Sequence, residues 1–339
     1  MTANWRDRVA ETIGRYGILR LLEILPGRSQ LLVLNYHRIG RCEESELDRQ
    51  VFSADTEGFD EQLRIIKRQS DLLHPMEAFD LIRRGLPLKR PAVMITFDDG
   101  YLDNYTEALP VLKANGVSAC FFLVTGYLDD PYQVTWWDKI AYLVRQCAGD
   151  TIELTEPRLF RRYVHNGNVD DVINELLAIY RDEAPDEERF LAQLAANAGI
   201  EFNSLAERPF MNWSEARSML DQGMVLGLHT HTHRILSRLD EDGQRFELSH
   251  SKVRMTEQLG VSCDVLAYPV GTTSAFNATT KRLVKEAGYR CAFSFGSGTN
   301  APGAVDPFDV KRVALPSFAS PARSRSAVSM MKVTRQVWF

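Results

Sequence analysis

The sequence lacks the features that mark several common classes of protein. Its 339 residues contain only five cysteines, and no two of them form a Cys-x-x-Cys pair. An odd number of scattered cysteines predicts neither a disulfide framework nor a cysteine zinc site. No uncharged apolar run reaches the roughly 18 to 20 residues that a membrane-spanning helix needs. The composition is that of an ordinary globular protein.

A surplus of basic residues is also absent, since the formal net charge is −5. A nucleic-acid partner would favour a broad basic face, so we expect no such partner. The first residues include cations but also Asp7 and Glu11, and no apolar signal core follows them. We therefore expect a cytoplasmic location.

Residues 5–25 place apolar side chains near helical spacing, and Pro26-Gly27 ends the pattern. This pattern predicts an amphipathic N-terminal helix. Packing against the rest of the protein is the favoured interpretation. Peripheral membrane contact is the alternative, because a basic face suits anionic headgroups.

Short apolar runs then alternate with helical stretches, which predicts a parallel sheet covered by helices, either a β/α barrel or a doubly wound sheet. The predicted strands are 31–36, 92–97, 119–124, 224–228, 265–268 and 291–295. The predicted helices are 59–69, 76–84, 104–115, 213–221, 246–259 and 276–287. The strand pattern disappears over 136–210, where we expect a helical insertion. The domains expected are an N-terminal helix at 1–27, a catalytic domain at 28–316 and a tail at 317–339.

Two adjacent carboxylates, Asp98 and Asp99, follow the apolar strand that ends at Phe97. Functional groups gather at the carboxyl ends of strands in parallel α/β folds, so one carboxylate can bind a metal while the other accepts a proton. The alternative is structural, because aspartates also cap helices and form turns with a glycine such as Gly100.

Three of the seven histidines, His229, His231 and His233, lie within five residues where another apolar strand ends. Neutral imidazole is a common zinc ligand, and two of these histidines with Asp99 would leave coordination positions open for water and substrate. A solvated histidine-rich loop is the alternative. Two further strand ends, at His37 and at Tyr268-Pro269, are weak signals alone.

Together these motifs resemble the polysaccharide deacetylase family of carbohydrate esterases, also called the NodB-homology family. The resemblance implies a distorted (β/α) barrel with parallel strands. It makes Asp98 the general base, Asp99, His229 and His233 the metal ligands, and Thr230 the residue that braces the histidine loop. Tyr268 and Pro269 resemble the motif that lines the substrate groove.

The sequence departs from the family pattern in two places. Ala267 occupies the position of the arginine that pairs with the catalytic aspartate, and no histidine follows His250 to supply the general acid. The chain also resembles a circularly permuted branch found in exopolysaccharide deacetylases, in which an early Tyr-His element supplies the acid. Tyr36-His37 matches that element, so His37 is the expected acid and Tyr36 a substrate contact.

The resemblance implies a metal-dependent hydrolase that removes N-acetyl groups from a sugar in a bacterial glycan, glycolipid or glycan precursor. The expected cofactor is a divalent metal with Zn²⁺ as the default, and Fe, Co or Ni are alternatives. Two other functions stay open: an amidase or esterase that acts on a non-glycan acetamide, and a catalytically silent glycan-binding protein.

Overall fold

The computed structural model describes residues 29–147, 151–155, 161–164, 168–183, 186–200, 208–296, 298–301, 303–315 and 317–333. The amphipathic helix predicted for residues 5–25 lies outside these ranges. The described residues form two compact units. One comprises the described parts of Met1–Gly40, Phe52–Pro131 and Phe210–Phe339, and the other comprises those of Arg41–Val51 and Tyr132–Pro209.

Seven parallel strands of the described chain form a nearly closed barrel in the first unit. They are Leu31–Tyr36 (β1), Ala92–Phe97 (β2), Cys120–Leu123 (β3), Val225–Leu228 (β4), Val265–Ala267 (β5), Cys291–Phe295 (β6) and Val310–Arg312 (β7). Each strand pairs with the next one along the chain. Val313, just after β7, pairs with Leu34 of β1 and brings the last strand against the first. The expected (β/α) barrel is therefore confirmed, and the doubly wound alternative is excluded because the last strand lies against the first.

Helices of the first unit connect and cover these strands. They are Thr56–Gln69 (α1), Pro75–Arg84 (α2), Leu109–Asn115 (α3), Thr125–Asp129 (α4), Trp213–Asp221 (α5), Glu241–Leu259 (α6), Ala278–Glu286 (α7) and Pro321–Val333 (α8). A π-helical turn, Asn104–Ala108, precedes α3. Short strands lie at Arg38–Ile39, Phe52–Ala54 and Asp71–Leu72. None of the described helices combines the length and apolar content needed to cross a bilayer.

Local signals in the sequence explain where several of these helices begin and end. Asn212 and Glu215 form a capping box at the start of α5, which satisfies backbone N–H groups that have no partner in the first turn. Helix α2 begins at Pro75, and Gly85 caps its C-terminal end with a φ of 60°, a left-handed conformation that glycine adopts without strain.

The tail predicted from residue 317 contains α8, which packs against α1. Ala327 and Val328 of α8 are buried, and Ser329 donates a hydrogen bond to Gln69 at the end of α1. The described part of this segment is therefore a packed helix of the first unit.

The second unit has a hydrophobic core of its own, built around side chains such as Trp137, Leu176 and Phe190. Its helices are Trp136–Gln146, Val169–Glu183 and Glu187–Ala198. It also contains two antiparallel strands, Thr151–Leu154 and Arg161–Val164, where the sequence pattern predicted helices only.

Candidate active site

The carboxyl ends of β2 and β4 bring together Asp99, His229 and His233. The Nε2 atom of His233 lies 3.3 Å from Oδ1 of Asp99, and Nε2 of His229 lies 3.6 Å from the same oxygen. One ligand atom from each residue lies within 4.8 Å of the other two. Two imidazole nitrogens and a carboxylate oxygen at this spacing fit a divalent metal that keeps positions open for water.

The backbone around these side chains adopts conformations that non-glycine residues rarely adopt. Asp99, Thr230 and His233 have φ values of 71°, 66° and 60°. Each such conformation costs about 1–3 kcal/mol and persists only where surrounding contacts enforce it. The Thr230 hydroxyl accepts a hydrogen bond of 3.1 Å from the His233 N–H, which is the geometry that a bracing residue requires.

A hydrogen bond across the barrel determines which nitrogen of His229 is available to a metal. Nδ1 of His229 lies 2.8 Å from the carbonyl oxygen of Ala267 at the end of β5. A carbonyl can only accept, so Nδ1 carries the proton and Nε2 keeps its lone pair. Burial lowers the pKa of His229 to about 4, despite the opposing charge of Asp98. The ring is therefore neutral at neutral pH, as a metal ligand must be.

Asp98 is held by Arg312, a residue that the sequence motifs did not identify. The guanidinium donates to both carboxylate oxygens, over 2.6 and 2.8 Å, and the two side chains are almost completely buried. Burial alone would raise the pKa of Asp98, but the charge and the hydrogen bonds of Arg312 hold that pKa well below its usual range. Asp98 is therefore ionised at neutral pH.

Arg312 pairs with Asp98 in place of the family arginine, whose position in the sequence is occupied by Ala267. It lies at the end of β7, so its guanidinium reaches Asp98 from the last strand of the barrel. Asn35 of β1 completes the arrangement, because its amide donates to Asp98 over 3.1 Å and accepts from Arg312 over 2.8 Å. No clear signal in the sequence identified Arg312, because the adjacent cations Lys311 and Arg312 interrupt the apolar residues of Val310–Leu315.

His37 lies at the end of β1, and the charges of Asp98 and Arg312 act on its imidazole. Burial lowers its pKa, Asp98 partly offsets that effect, and Arg312 adds to it. The structure thus places His37 at the same rim as Asp98.

His231 is directed away from the candidate metal ligands. Its Nδ1 shares a hydrogen bond of 2.9 Å with the Thr125 hydroxyl, and its ring packs edge-on against His250. This position agrees with its exclusion from the predicted ligand set.

The structure argues against two of the predicted substrate contacts. Tyr36 is 1% exposed, packs against Phe59 of α1 and donates its hydroxyl to Gln62, so its side chain lies between the barrel and α1. Tyr268 is completely buried and donates to the carbonyl oxygen of Phe308. Pro269, the third predicted contact, is also buried. Neither tyrosine presents a face to a substrate, because the apolar contacts that bury them use those faces.

A parallel (β/α) barrel with adjacent carboxylates and two histidines at the carboxyl ends of its strands is an arrangement that can support hydrolytic chemistry. The chain belongs to the polysaccharide deacetylase family, which it matches over residues 85–170 and 189–292, more than half of its length. The family is one of carbohydrate deacetylases.

The chain is also similar to a Bacillus subtilis (strain 168) protein that is provisionally named as the polysaccharide deacetylase YxkH. The two are 29% identical over 107 residues, which is 32% of this chain and 36% of that protein. The match therefore spans about a third of each protein.

Solved structures show the same fold. The Streptococcus pyogenes deacetylase PplD, in complex with acetate, superposes with a TM-score of 0.56 at 20% identity, over 87% of this chain and 96% of that one. IcaB from Ammonifex degensii gives a TM-score of 0.56 at 20% identity, over 91% and 99% of the two chains.

Proposed function

We propose that this protein is a metal-dependent N-deacetylase that acts on an N-acetylated sugar in a bacterial glycan, glycolipid or glycan precursor. The observation that carries the proposal is the position of an ionised Asp98 beside Asp99, His229 and His233. Nε2 of His229 lies 3.7 Å from Oδ2 of Asp98, so a proton acceptor stands directly beside the candidate metal ligands. A structural cap or turn would not require this convergence.

The residues of the site have distinct roles in this proposal. Asp99, His229 and His233 hold the metal, which supplies a Lewis acid for the acetyl carbonyl and makes water more acidic. Asp98 takes a proton from the water that adds to the acetyl carbon. His37 gives a proton to the amide nitrogen as the C–N bond breaks, because an amide anion is too basic to leave at neutral pH. The products are acetate and a sugar amine.

Zn²⁺ is the first choice for two histidines and one carboxylate, and Fe, Co or Ni are compatible with the same ligands. Elemental analysis of protein purified without a histidine tag measures which metal is bound. Asp99→Ala, His229→Ala and His233→Ala are each expected to lose metal and activity together. His231→Ala is the matched control, because the His231 ring is hydrogen-bonded to Thr125. This variant is expected to keep most of its metal and its activity. A fully loaded His233→Ala or a metal-free His231→Ala would contradict the ligand assignment.

Acetate release from a panel of N-acetylhexosamine glycans, compared with small acetamides, tests the substrate class. Release from the glycans alone supports a carbohydrate substrate, whereas release from small acetamides alone supports a general amidase. The silent glycan-binding alternative rested on the missing arginine and on the missing late histidine. The Arg312–Asp98 pair argues against it, because binding a sugar needs no oriented base. The cytoplasmic location stays a prediction from the sequence.

A further inference from the structure

The backbone of His37 is held on both sides by side chains that lie far from it in the sequence. Its N–H donates to the Ser53 hydroxyl over 3.1 Å, and its carbonyl oxygen accepts from Nδ2 of Asn104 over 2.6 Å. Asn104 is completely buried. Because both peptide groups flanking the Cα of His37 are held, the direction in which its imidazole leaves the backbone is fixed.

The next two residues are held by Asp103. Its carboxylate accepts from the Ile39 N–H over 3.1 Å and from Nε of Arg38 over 2.7 Å. The guanidinium of Arg38 lies between two aromatic rings, 4.2 Å from the ring centroid of Phe52 and 4.9 Å from that of Tyr101. The side chains of Arg38 and Asp103 are 15% and 12% exposed.

A largely buried ion pair contributes little net stability, because removing both charges from water costs about as much as their attraction returns. Its better attested effect is to fix one arrangement of the chain. Here the arrangement that it fixes is that of Arg38 and Ile39, which immediately follow His37.

Asp103 and Asn104 belong to the same segment as Asp98, which follows β2. The N–H of Asp98 also donates to the carbonyl oxygen of Tyr36 over 3.0 Å. One short segment therefore carries the proposed base and holds the strand end that carries the proposed acid.

We propose that Asp103 and Asn104 are positioning residues that set the imidazole of His37 against the leaving nitrogen. The proposal rests on the function proposed above, in which His37 is the general acid. A general acid works only when its proton lies within hydrogen-bond reach of the leaving atom, and a displacement of about 1 Å can cost about 100-fold in rate.

The test compares an amide with an activated ester. The amide is an N-acetylglucosamine oligomer, whose nitrogen needs a proton to leave, and the ester is 4-nitrophenyl acetate, whose phenolate does not. Asp103→Asn keeps the size of the side chain and an acceptor for Ile39, but it removes the charge that holds Arg38. We expect amide kcat/KM to fall about 10- to 100-fold and ester kcat/KM to fall less than about threefold, with metal content unchanged.

A matched control lies at the opposite end of the barrel. Nε of Arg290 lies 2.7 Å from Oδ2 of Asp264, the same ion-pair distance as between Arg38 and Asp103, although the two side chains are more exposed, at 27% and 34%. These two residues precede β6 and β5, so they lie at the amino ends of the strands. Asp264→Asn is therefore expected to leave the ratio of amide to ester activity unchanged.

His37→Ala separates this proposal from the proposed function. If His37→Ala loses both activities equally, the acid role itself is wrong. If His37→Ala loses amide activity selectively but Asp103→Asn loses both equally, the positioning role is overturned.

The double variant His37→Ala/Asp103→Asn is expected to show the same amide-to-ester ratio as His37→Ala alone, because no acid is left to displace. A further selective loss in the double variant would contradict the proposal. Should Asp103→Asn fail to fold, Asn104→Ala removes the donor to the His37 carbonyl, and the same selective loss is expected of it.

Discussion

Replacing Arg312 with methionine tests the buried pair that holds the candidate base. The variant leaves the carboxylate of Asp98, which is 3% exposed, without its principal counter-charge. Breaking a buried pair in this way costs about 3–5 kcal/mol. Asp98 can limit the loss by taking up a proton. From its usual pKa of 3.8, holding it protonated at pH 7 costs about 1.4 kcal/mol for each pH unit, or about 4 kcal/mol.

Because Asp98 can be ionised or protonated, the loss of stability in Arg312→Met depends on pH. In the native chain the pKa of Asp98 is lowered. The contribution of Asp98 to the free energy of unfolding is therefore present above pH 3.8 and is lost as the pH falls. In Arg312→Met burial raises that pKa, so stability is greatest below pH 3.8 and is lost as the pH rises. The difference in free energy of unfolding is therefore expected to shrink from about 4 kcal/mol at pH 7 to about 2 kcal/mol at pH 5.

Urea unfolding at the two pH values, with a chelator present so that metal binding does not contribute, measures this difference. Arg254→Met is the matched control. Arg254 also donates to both carboxylate oxygens of its partner, Asp129, over 2.6 and 3.0 Å, but the two side chains are 24% and 28% exposed. Arg254→Met is expected to lower the free energy of unfolding by about 1 kcal/mol or less. Equal losses for the two variants, or a loss for Arg312→Met that does not shrink at pH 5, would refute the reasoning.

Two further variants test other parts of the site. Asp98→Asn conserves shape but cannot accept a proton, so we expect normal metal content and a loss of turnover of about 100- to 10,000-fold; near-normal turnover would rule out Asp98 as the base. Gly126→Ala would place a Cβ 2.6 Å from the carbonyl oxygen of His231, which accepts the Gly126 N–H. We expect it to destabilise the barrel by about 1–3 kcal/mol and to weaken metal retention. Gly296→Ala adds a Cβ that meets nothing within 4 Å, so we expect it to change neither stability nor metal retention. Thermal unfolding and elemental analysis of the two variants measure these effects.

The sequence by itself determined the strand-and-helix order and the groups that meet at the site. Strands β1, β2 and β6 begin and end at the predicted residues, because fully buried parallel strands are continuous apolar runs that can be recognised locally. Asp98, Asp99 and the histidine loop stand directly after such runs. A parallel sheet then places them at one rim without further information.

The tertiary structure alone decided how the candidate base is held. Strand β7 is three residues long and includes two cations, so it has no apolar run to reveal it. Arg312 lies 214 positions from Asp98, and no local pattern can predict a contact between residues so far apart. The pair forms only because the barrel closes between β7 and β1.

Side-chain direction was likewise beyond the sequence. Tyr36 adjoins His37, and its motif made it a candidate substrate contact, yet its ring packs against Phe59 outside the barrel. Ala267 offered no functional side chain, but its carbonyl oxygen selects the tautomer of His229. Residue type predicts which chemistry a position can perform. Packing across the fold decides whether the side chain or the backbone of that position performs it.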